Sequence, residues 1–325
     1  MRHAVQARLG ANGPRVSQLG LGASAIGGLF TPVSEAEGLA VVGAAVELGI
    51  SYVDTAPLYG LGRSERLIGQ ALRELPRDDV TVSTKVGRLL RDDPPVHEEL
   101  PDGMWPDTGA TKPVFDFSRD GILRSFEESL ARLGLDRVDV LYVHDPHEHL
   151  DEAISAALPA LAELREQRVL GAIGVGMGDA DALARVVREA DVDCILLAGR
   201  YTLLDRSGAD ELLPLCELAD VAVVAGGVFN SGVLADPGDG ARYEYAPAAA
   251  DVVERARLMR GVCASHGVAL PAAALQFPLR HPAVVTVLTG VRSVDELRQN
   301  VAHFDADVPE ALWEELAGSK AVSAA

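Results

Sequence analysis

The feature that most constrains the fold of this 325-residue chain is an eightfold alternation of short apolar runs with amphipathic helical stretches. Runs that are apolar on both faces are typical of a parallel sheet covered by helices, so the alternation predicts an α/β fold. Eight repeats favour a closed barrel over an open sheet, and no glycine-rich dinucleotide fingerprint follows the first run. The predicted strands span residues 19–22, 50–54, 80–85, 138–144, 172–175, 194–197, 221–224 and 284–288.

The remaining segments complete the prediction of a (β/α)8 TIM barrel. A polar segment before the first strand is expected to form an N-terminal hairpin, and one barrel domain is expected over residues 1–325. The predicted helices include residues 34–48, which begin with a capping box of Ser34 and Glu37, residues 151–167 and residues 271–280. Residues 86–117 after strand three and 226–247 after strand seven are too long for ordinary βα loops. Both leave the C-terminal ends of strands, where the active sites of barrel enzymes lie. These two loops are therefore candidate covers of a site.

Composition and charge exclude several classes of partner. A net charge of −19 argues against nucleic acid and anionic membranes, because proteins bind polyanions through Lys and Arg. The scattered thiols of Cys194, Cys216 and Cys263 have neither metal-binding nor disulfide spacing. No apolar stretch is long enough for a signal peptide or a membrane span. We therefore expect a cytoplasmic protein that acts on a small molecule, and the oligomeric state is left open.

Ionisable side chains end three consecutive predicted strands. Asp54 ends the second, Lys85 the third and His144 the fourth, while Tyr59 lies five residues after Asp54. Because the C-terminal ends of barrel strands meet at one mouth, we expect these four side chains to lie together. Lys85 stands out because the chain has three lysines against 26 arginines, and a lysine adjusts its pKa more readily. Taken singly, each could be structural: a turn cap, a rim aromatic, half of an ion pair or a backbone-bonded histidine.

The segments around these residues resemble the aldo-keto reductase family. They read DTAPLYG at 54–60, STKVG at 83–87 and DVLYVHDP at 139–146, and the resemblance extends from about residue 19 to residue 300. It implies a (β/α)8 barrel that uses a nicotinamide cofactor. It also implies a catalytic tetrad, formed by Asp54, Tyr59, Lys85 and His144.

The resemblance assigns a role to each member of this tetrad. Hydride transfer to or from a carbonyl carbon requires a proton donor or acceptor at the oxygen, and Tyr59 would be that group. We expect Lys85 to lower the pKa of the Tyr59 phenol by stabilising the phenolate. Asp54 would hold Lys85 charged and in place. His144, expected to be neutral, would donate a hydrogen bond to the substrate oxygen.

The resemblance places the cofactor beside the last two strands. The loop after strand seven would cover the pyrophosphate, and the turn after strand eight would bind the adenosine phosphate at a helix N-terminus. An ordinary barrel-closing turn is the alternative to the second assignment. The candidate cofactor contacts are Gly227, Phe229, Asn230, Ser231 and Gly232 in the loop, and Thr289, Gly290, Arg292, Ser293, Glu296, Gln299 and Asn300 after strand eight.

Three positions depart from the common family pattern. Gly176-Met177 and Ala198 replace a Ser-Asn pair and a glutamine that hold the nicotinamide carboxamide in many members. We expect another anchor, such as Asn230 or the backbone. Glu296 stands where members that favour NADP carry arginine, and a carboxylate repels a 2′-phosphate but accepts hydrogen bonds from a ribose diol. NAD is therefore the expected cofactor, with NADP possible because arginines lie nearby.

Together with the run LAGRYTLL at 197–204, these departures make the chain resemble the branch that holds L-fucose, D-threo-aldose and galactose 1-dehydrogenases and pyridoxal 4-dehydrogenase. The implied activity is oxidation of an aldose, with Phe30 and Trp105 as candidate substrate contacts. The alternative within the family is a pyridoxal or general aldehyde and ketone reductase. The run HDPHEH at 144–149 leaves a metal-dependent barrel hydrolase as a rival, although such sites draw ligands from several strands, and no metal site is predicted. A non-catalytic nicotinamide-binding regulatory protein is the third possibility.

Overall fold

A computed structural model describes residues 1–106 and 109–319 of the chain. The strands within these residues are β1 (Gln6–Arg8), β2 (Arg15–Ser17), β3 (Leu19–Gly22), β4 (Tyr52–Asp54), β5 (Thr81–Val86), β6 (Arg88–Asp92), β7 (Thr111–Phe115), β8 (Val140–His144), β9 (Ala172–Met177), β10 (Cys194–Ala198), β11 (Ala222–Gly226), β12 (Arg242–Tyr243), β13 (Ala246–Pro247) and β14 (Val284–Thr289).

Eight of these strands close into a parallel barrel in which each follows its predecessor around the circle: β3, β4, β5, β8, β9, β10, β11 and β14. The predicted TIM barrel is therefore confirmed. The register brings the strand ends together, because Asp54 pairs with Ser83 and His144 pairs with Gly176. The side chains that end β4, β5 and β8 consequently share one rim.

The helices that cover the barrel, again within the described residues, are α1 (Glu35–Glu47), α2 (Arg63–Leu72), α3 (Arg119–Leu133), α4 (Leu150–Glu152), α5 (Leu158–Glu166), α6 (Ala180–Glu189), α7 (Leu212–Ala219), α8 (Ala250–Ser265), α9 (Leu270–Gln276), α10 (Val294–Asp305) and α11 (Glu310–Gly318). Helix α1 begins with the predicted capping box, in which Ser34 and Glu37 bond each other's backbone.

Two helices differ from the sequence expectation because of proline. A single helix was expected over residues 151–167, but a π-helical turn at Ala153–Ala157 separates α4 from α5. Pro159 at the start of α5 has no N–H to donate, and its ring crowds the carbonyl of Ser155, so the regular ladder widens there. Helix α9 was expected to reach residue 280 and instead ends before Pro278, continuing as a 3₁₀ turn at Phe277–Arg280.

The two long connections contain secondary structure that their composition did not indicate. Strands β6 and β7 pair as an antiparallel hairpin inside the loop after β5. The loop after β11 holds a 3₁₀ turn at Asn230–Gly232 and the short β12–β13 pair. Both loops therefore present ordered segments at the C-terminal end of the barrel.

The opposite end of the barrel is plugged by the N-terminal hairpin, which was predicted and forms as β1 paired with β2. Leu9 and Val16 of this segment join the cluster inside the barrel that includes Tyr52, Tyr142 and Cys194. The interior can therefore be reached from the other rim alone, where the tetrad candidates lie. Among the described residues no single helix is long and apolar enough to cross a membrane; one bent pair, Ala250–Ser265 with Leu270–Arg280, passes on length and composition only.

Candidate active site

A buried lysine at the end of β5 connects two other members of the predicted tetrad. Lys85 Nζ donates to Asp54 Oδ2 at 2.6 Å, to the carbonyl oxygen of Thr55 at 2.9 Å and to Tyr59 Oη at 3.1 Å. Lys85 and Asp54 are 1% and 2% exposed. Inside a protein their attraction is much stronger than in water, and every ammonium proton has an acceptor. The ammonium is thus held in one place against the phenol.

A chain of buried polar groups supports Asp54 from inside the barrel. Ser83 Oγ donates to Asp54 Oδ1 at 2.7 Å and lies 3.1 Å from Tyr52 Oη. Tyr52 Oη lies 3.1 Å from Tyr142 Oη, to which Cys194 Sγ donates at 3.5 Å. These four side chains come from four different strands, so the carboxylate is fixed by the barrel and not by a loop. We call these residues the interior chain.

His144 faces Tyr59 across the mouth. The two ring centroids are 6.0 Å apart and the ring planes stand at 88°. Burial, with added repulsion from Arg88 and then Lys85, holds the pKa of His144 well below its ordinary value. The imidazole is therefore neutral, in agreement with the sequence expectation. Its Nε2 lies 3.4 Å from Asp145 Oδ2, which is longer than an ordinary hydrogen bond.

The phenol of Tyr59 does not follow the expected pKa. Burial raises the pKa of Tyr59 well above its ordinary value, and the charge of Asp54 raises it further. The expectation that Lys85 lowers this pKa is therefore wrong for the site as it stands. The physical reason is first the burial of the phenol and then the charge of the Asp54 carboxylate, which also holds the ammonium at 2.6 Å. Tyr59 is protonated at neutral pH.

The sequence analysis did not identify Arg88, a buried arginine that connects the β6–β7 hairpin to the site by hydrogen bonds. Arg88 donates two hydrogen bonds to Glu98, at 2.6 and 2.9 Å, and one to the carbonyl oxygen of His144 at 2.9 Å. The same guanidinium lies 3.5 Å from Asp145 Oδ2 and covers the Phe115 ring at 4.9 Å. The one signal in the sequence was an arginine three residues after the strand lysine. Asp145, adjacent to His144, was also passed over.

The predicted substrate contacts lie around the mouth. The Trp105 ring, 8% exposed, lies 6.1 Å from the Tyr59 ring at 38°. The Phe30 ring lies 6.2 Å from Tyr245 and is covered by the Arg242 guanidinium at 4.5 Å. Trp105 therefore borders Tyr59 directly, whereas Phe30 meets the loop after β11 at the rim.

The predicted pyrophosphate loop contains several residues in the left-handed backbone region. Asn230 and Ser231 have φ of 45° and 59°, between Gly227 and Gly232 at 63° and 109°. The N–H groups of Asn230 and Gly232 donate within this turn, to the carbonyl oxygens of Gly227 and Phe229 at 2.8 and 3.0 Å. Asn230 donates from Nδ2 to the carbonyl oxygen of Gly199 at 3.2 Å, while its buried Oδ1 has no hydrogen-bond partner within the described residues. Among the remaining loop candidates, Phe229 is half-buried beside this turn.

The turn after β14 holds the other cofactor candidates. Ser293 caps α10 by accepting from the Glu296 N–H at 3.2 Å, and Glu296 Oε2 accepts from the Arg292 N–H at 2.7 Å. Glu296 thus has a local role at the helix start that the sequence did not indicate. Asn300 Nδ2 donates to Thr289 Oγ1 at 3.0 Å. Gly290 and the exposed Gln299 lie on the same turn and helix.

Two unsatisfied atoms in these regions fit a nicotinamide dinucleotide. The buried Oδ1 of Asn230 is an acceptor suited to an amide or hydroxyl, and the buried Nε of Arg292 is a donor suited to a phosphate oxygen; neither has a partner in residues 1–106 and 109–319. Most buried polar atoms in native proteins are paired, although Arg77 Nε and Arg206 Nε are also buried without a partner within the described residues. The residues present are therefore compatible with the cofactor that the family pattern implies.

The histidine run that suggested a metal site diverges in space. The His149 ring packs at 5.4 and 5.3 Å against Phe115 and Phe117, and its Nδ1 lies 3.8 Å from Glu152. His147 points to solvent, unlike the buried His144. Within the described residues no group of three potential metal ligands converges.

Comparison with known proteins gives a consistent picture. Residues 18–320 match the model of the aldo/keto reductase family. A D-threo-aldose 1-dehydrogenase from Pseudomonas sp is 45% identical over 320 residues, covering 96% of each chain. A pyridoxal 4-dehydrogenase from Microbacterium luteolum is 42% identical over 333 residues, covering 97% of each chain. The holo form of an aldo-keto reductase from Bacillus halodurans superposes with a TM-score of 0.76 at 25% identity, covering 98% of this chain and 97% of that one.

These matches cover nearly the whole barrel and include the strands that carry Asp54, Lys85 and His144. They decide against the metal-dependent hydrolase and the non-catalytic regulator. The chain belongs to the aldo-keto reductase family and is an NAD(P)-dependent oxidoreductase that acts on CH–OH and C=O groups.

Proposed function

We propose that this enzyme is an aldose 1-dehydrogenase that uses Asp54, Tyr59, Lys85 and His144 as its catalytic residues. The observation that carries the proposal is the position of Lys85 Nζ, which Asp54 holds at 2.6 Å while it donates to Tyr59 Oη at 3.1 Å. This arrangement prepares a phenol to exchange a proton with a substrate oxygen. His144 supplies a second hydrogen-bond donor from across the mouth.

Proton exchange follows from the charges around the phenol. In the reductive direction, neutral Tyr59 donates its proton to the oxygen of the substrate. As the proton leaves, the Lys85 ammonium donates more strongly to the developing phenolate, and Asp54 keeps that ammonium charged. In the oxidative direction the same phenolate accepts the proton from the anomeric hydroxyl. His144 Nε2–H orients the substrate oxygen and stabilises the negative charge that develops on it.

The cofactor would be held by the loop after β11 and the turn after β14, which contain the buried polar atoms without hydrogen-bond partners described above. Asn230 and the backbone of the loop after β11 would contact the nicotinamide-proximal part, and Arg292 with the start of α10 would contact the phosphate of the adenosine end. When bound, NAD(P) accepts or supplies the hydride. We propose NAD as the preferred form because the exposed Glu296 carboxylate stands at this helix start. A negative charge there disfavours a 2′-phosphate.

The substrate class is supported by the relatives. A D-threo-aldose 1-dehydrogenase shares 45% of its residues with this chain over 96% of its length. The second candidate is pyridoxal oxidation, which the 42% identity to a pyridoxal 4-dehydrogenase favours. Both substrates contain a hydroxyl that is oxidised to a carbonyl, so the same four residues serve either reaction.

A substrate screen tests the proposal. Purified enzyme is incubated with NAD or NADP and L-fucose, D-arabinose, L-galactose, D-galactose or pyridoxal, and the absorbance of the reduced cofactor is followed. We expect kcat/KM to be at least about tenfold higher for one aldose than for pyridoxal, with NAD favoured over NADP. Turnover of pyridoxal alone would replace the aldose assignment with the second candidate. If the enzyme turns over none of these substrates, both the aldose and the pyridoxal assignments are wrong.

A further inference from the structure

We propose that Asp145 binds the hydroxyl group on the carbon next to the reacting carbon, and so makes the enzyme selective for α-hydroxy aldehydes and the sugars that contain them. The inference rests on the proposed catalytic roles of Tyr59 and His144. It assigns a substrate-selecting function to a residue beyond the tetrad.

The backbone fixes Asp145 over the mouth. The residue directly follows β8, and its N–H donates to the carbonyl oxygen of Gly176 at 2.9 Å. Its φ of 42° lies in the left-handed region, which is uncommon for a residue other than glycine and is tolerated best by Asp and Asn. The side chain is 27% exposed, so the carboxylate lies at the rim where a substrate can reach it.

The distance from Asp145 to His144 leaves room for a substrate group. Asp145 Oδ2 lies 3.4 Å from His144 Nε2, which is longer than an ordinary hydrogen bond. Two oxygens on neighbouring carbons of a sugar lie about one hydrogen-bond length apart, about 2.8 Å. The reacting oxygen can accept a hydrogen bond from His144 Nε2 while the hydroxyl on the next carbon donates one to Asp145 Oδ2. Both hydrogen bonds then have ordinary lengths. A vicinal oxygen pair therefore bridges these two residues.

The Asp145 carboxylate can accept further hydrogen bonds. Within the described residues, no group donates a hydrogen bond to Asp145 Oδ1, and Arg88 Nη1 approaches Oδ2 only to 3.5 Å. Arg88 is instead committed to Glu98 through two shorter bonds. An ionised carboxylate accepts and cannot donate, so it recognises hydroxyl hydrogens.

The positive side chains near Asp145 favour a neutral hydrogen-bond donor as its ligand. Burial raises the pKa of Asp145, and the positive charges of Arg88 and Lys85 oppose this rise. A cationic substrate group would be repelled by the same two side chains. A hydroxyl group meets no such penalty, so the charge pattern favours a polyol over an amine.

The test compares two small aldehydes that differ by one hydroxyl, 2-hydroxypropanal and propanal, reduced with NADH. For wild-type enzyme we expect kcat/KM to be about 10- to 100-fold higher for 2-hydroxypropanal, because a hydrogen bond to a charged group is worth roughly that factor. Asp145→Ala should remove most of this preference by lowering kcat/KM for 2-hydroxypropanal. Its kcat/KM for propanal should change less than about threefold. Asp145→Asn, which keeps the shape of the side chain and one acceptor, should fall between the two.

Glu148→Gln is the matched control, because Glu148 is an exposed carboxylate on the same loop. It should leave both kcat/KM values unchanged. Equal losses for both aldehydes in the Asp145 variants would overturn the proposal and show that Asp145 acts only through the tautomer of His144. A wild-type enzyme that reduces both aldehydes equally well would also overturn it. Failure of wild type to reduce either aldehyde or to oxidise any aldose would instead refute the proposed function.

Discussion

The rings of Tyr59 and His144 stand at 88° to each other with their centroids 6.0 Å apart. We therefore expect their polar atoms to approach one substrate oxygen from different directions. The lysine that contacts the phenol lies behind it, where a substrate does not compete for the ammonium. This geometry separates proton exchange by Tyr59 from orientation by His144, and each function can be tested separately.

Tyr59→Phe removes the proton donor and leaves the ring in place. We expect kcat to fall by about 10²- to 10⁴-fold in both directions, since general acid–base catalysis contributes that much. The dissociation constant of NAD, measured by quenching of tryptophan fluorescence, should change less than about twofold. Tyr201→Phe is the control, because that phenol packs against Phe277 away from the mouth. Near-normal turnover of the Tyr59 variant would contradict the assigned role.

Asp54→Asn leaves the buried Lys85 without an opposite charge. Breaking a buried ion pair by removing one partner costs about 3 kcal/mol or more of unfolding free energy. Urea denaturation should show this loss, and kcat should fall because the ammonium is less firmly held. Asp307→Asn is the control: it breaks an exposed pair with Arg2 at 2.7 Å, which should cost less than about 1 kcal/mol. Similar losses in both variants would contradict the buried-pair account.

The pH profile should differ between the two reaction directions. Because burial raises the pKa of Tyr59, the phenol is the major form at neutral pH and the phenolate increases as pH rises. We expect log kcat/KM for oxidation to rise with pH between about 7 and 9, with a slope near one, while the value for reduction stays flat. Because burial lowers the pKa of His144, no inflection is expected near its ordinary value. A plateau of the oxidation rate already at pH 7 would contradict the raised pKa.

Glu296→Arg should shift the cofactor preference toward NADP. The substitution removes a negative charge at the start of α10 and adds a guanidinium that suits a 2′-phosphate. We expect the ratio of kcat/KM for NADP to that for NAD to rise at least about tenfold. The loss of the bond from the Arg292 N–H should also cost about 1 kcal/mol of stability. Glu296→Gln separates the effect of the lost negative charge from the effect of the added guanidinium, because it removes the charge alone. An unchanged ratio would show that this helix start does not contact the ribose.

Much of the barrel could be predicted from the sequence because each strand is a short apolar run and each helix is amphipathic. Asp54, Lys85 and His144 end adjacent strands, so their proximity followed from the closure of the barrel alone. Contacts that depend on loop conformation could not be predicted in this way. Arg88 reaches His144 only because the loop after β5 folds into a hairpin, and no periodic pattern marks that hairpin.

Electrostatic behaviour was harder to predict than position. The proximity of Lys85 to Tyr59 was expected, but burial and then the charge of Asp54 raise the pKa of the phenol. Spacing in the sequence does not show how deeply a loop residue such as Tyr59 is buried. Glu296 shows the same limit: its residue type suggested a ribose contact, while its side chain bonds the Arg292 N–H.

The interior chain from Cys194 to Ser83 anchors the carboxylate of Asp54 to the far wall of the barrel, out of reach of either long loop. The positions of Asp54 and Lys85 consequently do not depend on the two long loops. Exchanging the β6–β7 hairpin or the segment after β11 for those of a relative should change which compounds are accepted while Asp54 and Lys85 keep their positions. A scaffold of this kind can acquire new substrates by loop replacement while its reaction stays the same.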